Sequence, residues 1–282
     1  MDAGAAVTKP KGRPRDKSPI GETDLQEFLD SKADFAFEMR VLGRFEALSS
    51  TCEHGGTYTD PITSKIRQFD IRARYTRGPA RLWIAAECKN VGADSPVLVH
   101  SVPRKLGEAF HSLIVHRTSH APDAVTVGAL ESMYRPEELV GKRIDQVRKQ
   151  AGRLIGGDQD IFERITQSVN SAFELVREAA RSPGFPEVYA VVPVLVLPDG
   201  CLWQVDYSNS GEQSGPPHPV NTCPYFLAHE WQVATRVNTP LTYRLSHIEI
   251  ITFGALKATI SQFGDGTDTG PGLFHTIPNY IG

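Results

Sequence analysis

Two short runs hold residue types suited to metal-assisted hydrolysis: Arg67-Gln68-Phe69-Asp70-Ile71 and Leu82-Trp83-Ile84-Ala85-Ala86-Glu87-Cys88-Lys89-Asn90. Each reads as a β-strand with an acidic group where an apolar or neutral residue would pack more easily. The second run is apolar enough for a central strand, yet it ends in Glu-Cys-Lys-Asn. Side chains alternate along a strand, so Glu87 and Lys89 share one face and Cys88 turns to the other. Two carboxylates and an ammonium group at the mouth of a sheet predict a divalent-metal site with a cation beside it. That is equipment for hydrolysing a phosphodiester.

The elements that must position these groups can be read around them. Asp24 to Leu48 reads as one helix, with Phe35, Met39, Leu42 and Phe45 on a shared face that Phe37, Val41 and Leu48 widen. Glu38 falls near the middle of that apolar arc, where a carboxylate is expensive to bury unless it meets a cation. Either it is a third carboxylate for a bound ion, or the helix is rotated so that Glu38 reaches solvent at its edge. After a turn at Asp60-Pro61, a strand is expected from Ile66 to Tyr75, with Phe69, Ile71, Ala73 and Tyr75 on one face and Gln68, Asp70, Arg72 and Arg74 on the other. Arg77-Gly78-Pro79 turns into the strand Arg81 to Lys89. A short strand at Pro96 to Ser101 precedes Arg104 and Lys105. Helices are expected over Arg104–Val115, Val140–Ile155 and Asp160–Ala180, and strands over Tyr189–Val196, Cys201–Val205 and Leu245–Ile251.

The reading is therefore an α/β fold: a mixed β-sheet core flanked by helices, with an additional C-terminal β-rich extension. Residues 1–22 read as a disordered basic tail, 23–263 as a single domain and 264–282 as a Gly/Pro-rich C-terminal tail.

Glu38 on a first helix, Asp70 on a strand and Glu87-Cys88-Lys89 on the next strand resemble the PD-(D/E)XK, or restriction-endonuclease-like, nuclease superfamily. The pattern covers residues 33 to 102. Phe69 stands where proline is typical, a departure that removes no chemical group. A second acid-x-Lys triplet exists at Asp30-Ser31-Lys32, but only the one at Glu87 ends an apolar strand and follows a hairpin with an acid on its partner. The resemblance implies a restriction-endonuclease-like fold and an active site in which Asp70 and Glu87 ligate Mg²⁺, with Mn²⁺ as a substitute. It further implies the Cys88 carbonyl as another oxygen ligand and Glu38 holding a metal water or a second ion. Lys89 would orient or deprotonate the attacking water; the alternative is a strand-end lysine paired with Glu87. Asp145-Gln146-Val147-Arg148-Lys149 is loosely similar to a Gln-x-x-x-Lys element that some members place on a helix beside the metal, one residue shorter here. Gln146 and Lys149, nearly one turn apart, could face one phosphate; the alternative is an exposed amphipathic helix.

The net charge of -3 hides local basic clusters. Pro61 to Leu82 carries six bases against the single acid Asp70, and Lys142, Arg143, Arg148, Lys149 and Arg153 answer only to Asp145. Basic surface near carboxylates suits a polyanion, because phosphate contacts supply most non-specific nucleic-acid affinity. Arg72, Arg74 and Arg104 are the candidates; a solvated hairpin with charged edges is the alternative. In the N-terminal tail, Pro10-Lys11-Gly12-Arg13-Pro14-Arg15 resembles an AT-hook, in which Arg13 and Arg15 would reach into the minor groove of A/T-rich DNA. An ordinary basic tail is the other reading.

Other chemistries are excluded or weaker. No run approaches the roughly 18–20 apolar residues of a membrane-spanning helix, and the N-terminus has no signal-peptide core. Four cysteines without C-x-x-C spacing predict reduced thiols, a cytoplasmic setting and no structural zinc. There is no phosphate-binding G-x-x-x-x-G-K-[ST] loop, and His229-Glu230 lacks the second histidine of a zinc-protease helix. Cys88 reads as a core residue, and His247 with Glu249 as an exposed edge or the lining of a cleft. The expected function is a Mg²⁺-dependent DNA endonuclease, in restriction or anti-phage defence by the family's distribution. Partners would be DNA, no membrane, and either a second copy or a partner defence subunit. A repair or recombination nuclease, a nucleic-acid-binding module of the same fold without catalysis, and an unrelated α/β scaffold for a protein partner are the alternatives. The discriminating observation is whether Glu38, Asp70, Glu87 and Lys89 converge in one cleft.

Overall fold

In the computed structural model the expected first helix is two, α1 (Glu22–Ser31) and α2 (Phe35–Glu46). The structure describes residues 18–31, 34–117, 124–129, 133–182, 186–236, 240–267 and 270–276. The tail motif with Arg13 and Arg15 lies outside them. Met1–Ala33, which contains α1, forms one compact unit, and Asp34–Gly282 the other. In α2 the buried stripe is Phe37, Val41, Leu42 and Phe45, while Phe35 is 61% exposed. The helix is thus turned from the expected Phe35–Met39 face toward Phe37–Val41–Phe45, an i, i+4, i+8 line. Glu38 still falls between Phe45 and Leu42 on that face, and it is only partly exposed.

The strands that follow are β1 (Thr51–His54), β2 (Thr57–Thr59), β3 (Ile66–Gln68), β4 (Ile71–Arg77), β5 (Ala80–Cys88), β6 (Val97–Pro103), β7 (Ser112–Arg117), β8 (Ala124–Ala129), β9 (Leu139–Gln150) and β10 (Arg153–Gly157). After helix α3 (Gln159–Arg181) come β11 (Glu187–Leu197), β12 (Leu202–Asp206), β13 (His218–Pro219), β14 (Thr222–Ala234), β15 (Pro240–Thr252) and helix α4 (Leu256–Asp265). The protein is a mixed α/β fold built on one 13-stranded sheet in the order β1-β4-β5-β11-β15-β14-β9-β6-β12-β13, with β10 beside β9 and β7 joining β11 to β8. No helix among the described residues is long and apolar enough to cross a membrane.

The core follows from strands that are apolar on both faces. On one side of β5 and β11, Trp83, Ala85, Tyr189, Val191 and Leu195 pack under α3; on the other, Ile84, Ala86, Cys88, Ala190, Val192 and Val194 meet α2 and α4. A strand buried on both faces has to be central and covered by helices. β5 and β11 pair in parallel, with Glu87 opposite Leu195 and Cys88 opposite Val196. The late strands are therefore not a C-terminal extension: β11 and β15 are the middle of the sheet. Within the expected C-terminal tail, Leu273 is buried in the same core as α4.

Pro193 sits in this central strand, a place proline normally avoids because it has no N–H to donate. It falls in the gap between the pairing of β11 with β7, which ends at Ala190, and that with β15, which begins at Val194. On the β5 side the buried Ser168 hydroxyl is inserted into the ladder, donating to the Ala85 carbonyl (2.9 Å) and accepting the Val194 N–H (3.0 Å). It pins α3 to the sheet. Ser168→Ala is expected to lower stability by about 2–3 kcal/mol, because buried backbone groups lose their partner. A chemical-denaturation midpoint equal to the wild type's would show that the strands close on each other without it.

Two expected helices are strands. Arg104–Val115 divides into a 3₁₀ turn (Leu106–Glu108) and β7, and Val140–Ile155 is the β9–β10 hairpin. Val140, Ile144 and Val147 fit helical spacing, but Ile144 also pairs with Val99 of β6, and the sheet takes it. Ala151 and Gly152 both hold positive φ (49° and 78°), which closes a two-residue hairpin of the type that matches strand twist. The expected strand Ile66–Tyr75 is interrupted at Phe69–Asp70: β3 pairs with β2 in a separate small sheet, and β4 pairs with β1 and β5. The Phe69 ring fills the space above Gly56, where an added Cβ would lie 2.5 Å from it.

Candidate active site

β4 and α3 face each other as a ladder of charges. Two strand residues rise about 6.6 Å and four helix residues about 6 Å, so successive rungs stay in step. Arg74 pairs with Glu178 (3.0 Å) and also with Glu53, and Arg72 pairs with Glu174 (2.9 Å) and with the Ser171 hydroxyl (3.1 Å). Arg72 is buried and its guanidinium lies 4.1 Å from the centre of the Phe69 ring. These arginines join two layers of the fold; they are not the open phosphate-binding face expected of them. Nearer the start of α3, beyond this ladder, the signs reverse. The strands supply Asp70 and Glu87, and the helix supplies Arg164.

Asp70 and the end of β5 hold each other. The Cys88 N–H donates to Asp70 Oδ2 (2.8 Å), and the Asp70 N–H approaches Glu87 Oε1 (3.4 Å). The Arg164 guanidinium reaches Glu87 (3.4 Å), Asp34 (3.0 Å) and the Gln167 side-chain oxygen (3.2 Å). Lys89 lies 3.5 Å from the same Asp34 carboxylate. Asp34 stands at the N-cap of α2 but makes no capping bond with its side chain; it accepts the Asn90 N–H (2.9 Å) and holds the two cations instead. One turn along α2, Glu38 is 3.6 Å from His54 Nε2, an ion-pair distance rather than a hydrogen bond. Glu38, Asp70, Arg164 and Gln167 line one cleft of about 540 Å³, with Phe35, His54 and Arg67 at its walls. Cys88 is in the opposite core layer, as alternation requires.

The electrostatics are those of crowded acids. Burial, and then the Asp70 charge, push the Glu87 carboxyl well above the usual carboxylate range, with Arg164 opposing. Burial raises Asp70 too, against the pull of the Cys88 N–H and Arg164. Glu38 is raised by burial and then by Asp70, while His54 and Arg164 work the other way. Burial disfavours the charge on Arg164, but Asp70, Glu87, Asp34 and Glu38 outweigh it and hold its proton. With all four acids ionised, Arg67, Lys89 and Arg164 leave the site one negative charge in excess. Among the described residues no three His, Cys, Asp or Glu side chains close on a single point as a metal cage. Asp70 and Glu87 are the adjacent pair that could hold a divalent ion. A hard ion that keeps most of its waters needs no more protein carboxylates than that.

The other expected contacts lie elsewhere. Gln146 and Lys149 are on strand β9, so three residues of separation turns them to opposite faces and they cannot grip one phosphate. Gln146 is buried against the Ser95 hydroxyl (2.8 Å), and Lys149 is exposed at the hairpin. Arg104 is fully buried, bonded to His247 (3.2 Å), the Arg135 carbonyl (2.7 Å) and Glu138 (3.2 Å), beneath the Tyr134 ring. His247 and Glu249 are buried with it, since β15 is central and not an edge. Burial holds the Glu249 carboxyl up at about 7 and, with Arg104, holds His247 down at about 2.

Asp34, Arg164 and Gln167 were not picked out from the sequence. Two signals were present. Asp34 and Glu38 are spaced i, i+4, and Arg164, Ser168, Ser171, Glu174 and Glu178 make a polar line at three- and four-residue steps along an amphipathic helix. Comparisons of the chain with protein-family models, with curated proteins and with solved structures return no match.

Proposed function

We propose that this chain is a Mg²⁺-dependent nuclease of the restriction-endonuclease-like type that hydrolyses DNA phosphodiester bonds. One observation carries the reading: Glu38 and Asp70 line one cleft, and the other two residues singled out with them are tied to its lining, Glu87 through Asp70 and Arg164, and Lys89 through the Asp34 carboxylate that also holds Arg164. The succession of α2, the antiparallel strands β1, β4 and β5, the crossover helix α3 and the parallel strand β11 supports the same reading. So does the excess negative charge, which a divalent cation would neutralise.

Asp70 and Glu87 would hold the ion. The Cys88 N–H points toward Asp70, so its carbonyl leaves the same edge of the strand and faces the same side. A bound Mg²⁺ would stabilise charge on the phosphoryl group and lower the pKa of its water. Lys89, held by Asp34, would orient the attacking water and offset charge developing on phosphate oxygens. Arg164 restrains Glu87 and Asp34 and keeps the empty-handed carboxylates from repelling one another. Glu38, opposite Asp70 in the cleft, is available to a metal-bound water. A role in defence and a second copy or a defence subunit as partner belong to the same proposal and rest on the resemblance alone; a cytoplasmic setting belongs to it too and rests on the cysteine pattern.

The purified chain should nick or cut DNA with Mg²⁺ or Mn²⁺ and be silent in EDTA. Glu87→Gln, which keeps the shape and removes the charge, should be inactive while binding DNA as the wild type does. Activity in EDTA, or full activity of Glu87→Gln, would overturn the proposal. DNA binding with no cleavage under any divalent ion would favour a binding module of the same fold.

A further inference from the structure

Beside the cleft over Asp70 lies a second one of about 500 Å³, and the two share Arg67 and Gln167 in their walls. The first has Phe35 at its lip; the second has Phe162, on the outer face of α3 and 47% exposed. Each volume suits one nucleotide unit, at the small end of ligand clefts, which run from about 300 to 1,000 Å³. A wall common to both is the β2–β3 hairpin, which is not part of the main sheet. It is nevertheless tied down. Asp60 accepts the N–H groups of Ile62 (3.0 Å) and Thr63 (2.7 Å) and the Asn170 side-chain amide of α3 (3.0 Å), and the Tyr58 hydroxyl reaches the Gln167 carbonyl (3.4 Å). A groove with a fixed wall therefore runs between the hairpin and α3, past Arg67, toward Asp70.

We infer that this groove takes an unpaired DNA strand, with one base against Phe35 beside the reacting phosphate, the next base against Phe162, and Arg67 on the phosphate that joins them. This rests on the nuclease reading for the identity of the ligand and goes beyond it in the form of the substrate. Exposed aromatic rings have no partner in a stacked duplex, whose bases are already covered, whereas an unpaired base of any sequence offers a π-face. The second cleft also contains Asp158 and Glu163, acids that repel a phosphate but accept hydrogen bonds from the amino groups of bases. A chain of alternating base and phosphate meets that pattern when the phosphate is at Arg67 and the base is beyond it.

The test is binding of the full chain, in EDTA so that nothing is cut, to a short fluorescent single strand, to the duplex of the same sequence and to the RNA single strand. The DNA single strand should bind at least ~10-fold more tightly than the duplex at equal salt. Phe35→Ala and Phe162→Ala should each weaken it about 10-fold and Phe→Trp at either position should restore it, since stacking on one aromatic ring is worth about that much. Arg67→Ala should lower the salt slope by about one phosphate contact. Both phenylalanines are exposed, so these variants fold. Equal or tighter duplex binding, or unchanged affinity of both alanine variants, would overturn the inference, and tighter RNA binding would overturn its DNA part. The two readings fail separately. A chain that binds in this way but cleaves nothing refutes only catalysis, and one that cuts duplex DNA at wild-type rate with both alanines in place refutes only the groove.

Discussion

Asp70→Asn protein should be folded, at least as stable as the wild type, and at least ~1,000-fold slower at cutting DNA, because the ion would lose a charged ligand worth several kcal/mol at the transition state. The asparagine oxygen can still accept the Cys88 N–H, so the turn between β3 and β4 survives. What disappears is one of a set of mutually repelling acids, whose burial raises Asp70 and whose charge raises Glu87 and Glu38. Stability and activity should therefore move in opposite directions, which a purely structural carboxylate would not do. Lys89→Met should show a similar loss of rate. Excess Mg²⁺ should not recover it, since the ammonium acts on water and phosphate and not on the ion. Thermal melts and cleavage rates of the two variants measure both quantities. Activity within tenfold of wild type in either variant, at any Mg²⁺ concentration, would remove that residue from the chemistry.

Arg164→Met is expected to destabilise the metal-free protein by about 3 kcal/mol at pH 8, the low end for removing one partner of a buried pair, because Arg164 is itself 26% exposed. The loss should be pH-dependent, with a sign that follows from the carboxylates. Glu87, Asp70 and Glu38 are raised in the folded protein, so their favourable contribution is complete below the ordinary carboxylate range and fades as pH rises through their folded values. Without Arg164 those values rise further. The variant should come closest to wild type at the acid end, near pH 5, and fall increasingly behind toward pH 8, because the raised carboxyls take up protons progressively as pH falls. Mg²⁺ should narrow the gap at pH 8 by replacing the missing positive charge, and do little at pH 5, where protons compete for the same oxygens. Urea midpoints at the two pH values, with and without Mg²⁺, provide the measurement. A deficit equal at both and indifferent to Mg²⁺ would make Arg164 a packing residue.

Much of the site could be read along the chain because it depends on short-range geometry. Alternation along one strand separates Glu87 and Lys89 from Cys88, and the apolar lead-in of Leu82 to Ala86 marks that strand as central. The strong amphipathic period of Gln159 to Arg181 identifies α3 with nearly its full bounds. Helical spacing also brings Glu38 to one side of α2, although the buried face itself is rotated.

What lies above the polar face of a strand is not a local property. Arg72 and Arg74 have the same pattern whether they face solvent or a helix, and only the approach of α3 with Glu174 and Glu178 turns a presumed phosphate-binding patch into an interlayer ladder. The segment around Gln146 and Lys149 satisfies both helical and strand periods, and pairing with β6 decides between them. Arg104, His247 and Glu249 read as polar surface because nothing nearby in sequence covers them; β15 is central only because β11 and β14 flank it. The sequence by itself determined which residues could do chemistry and which strand would present them, since both follow from alternation and apolar content within a few residues. Tertiary structure alone decided their partners: Arg164 comes to Glu87 from a helix 77 residues away, because Ser168 locks that helix onto β5 and β11.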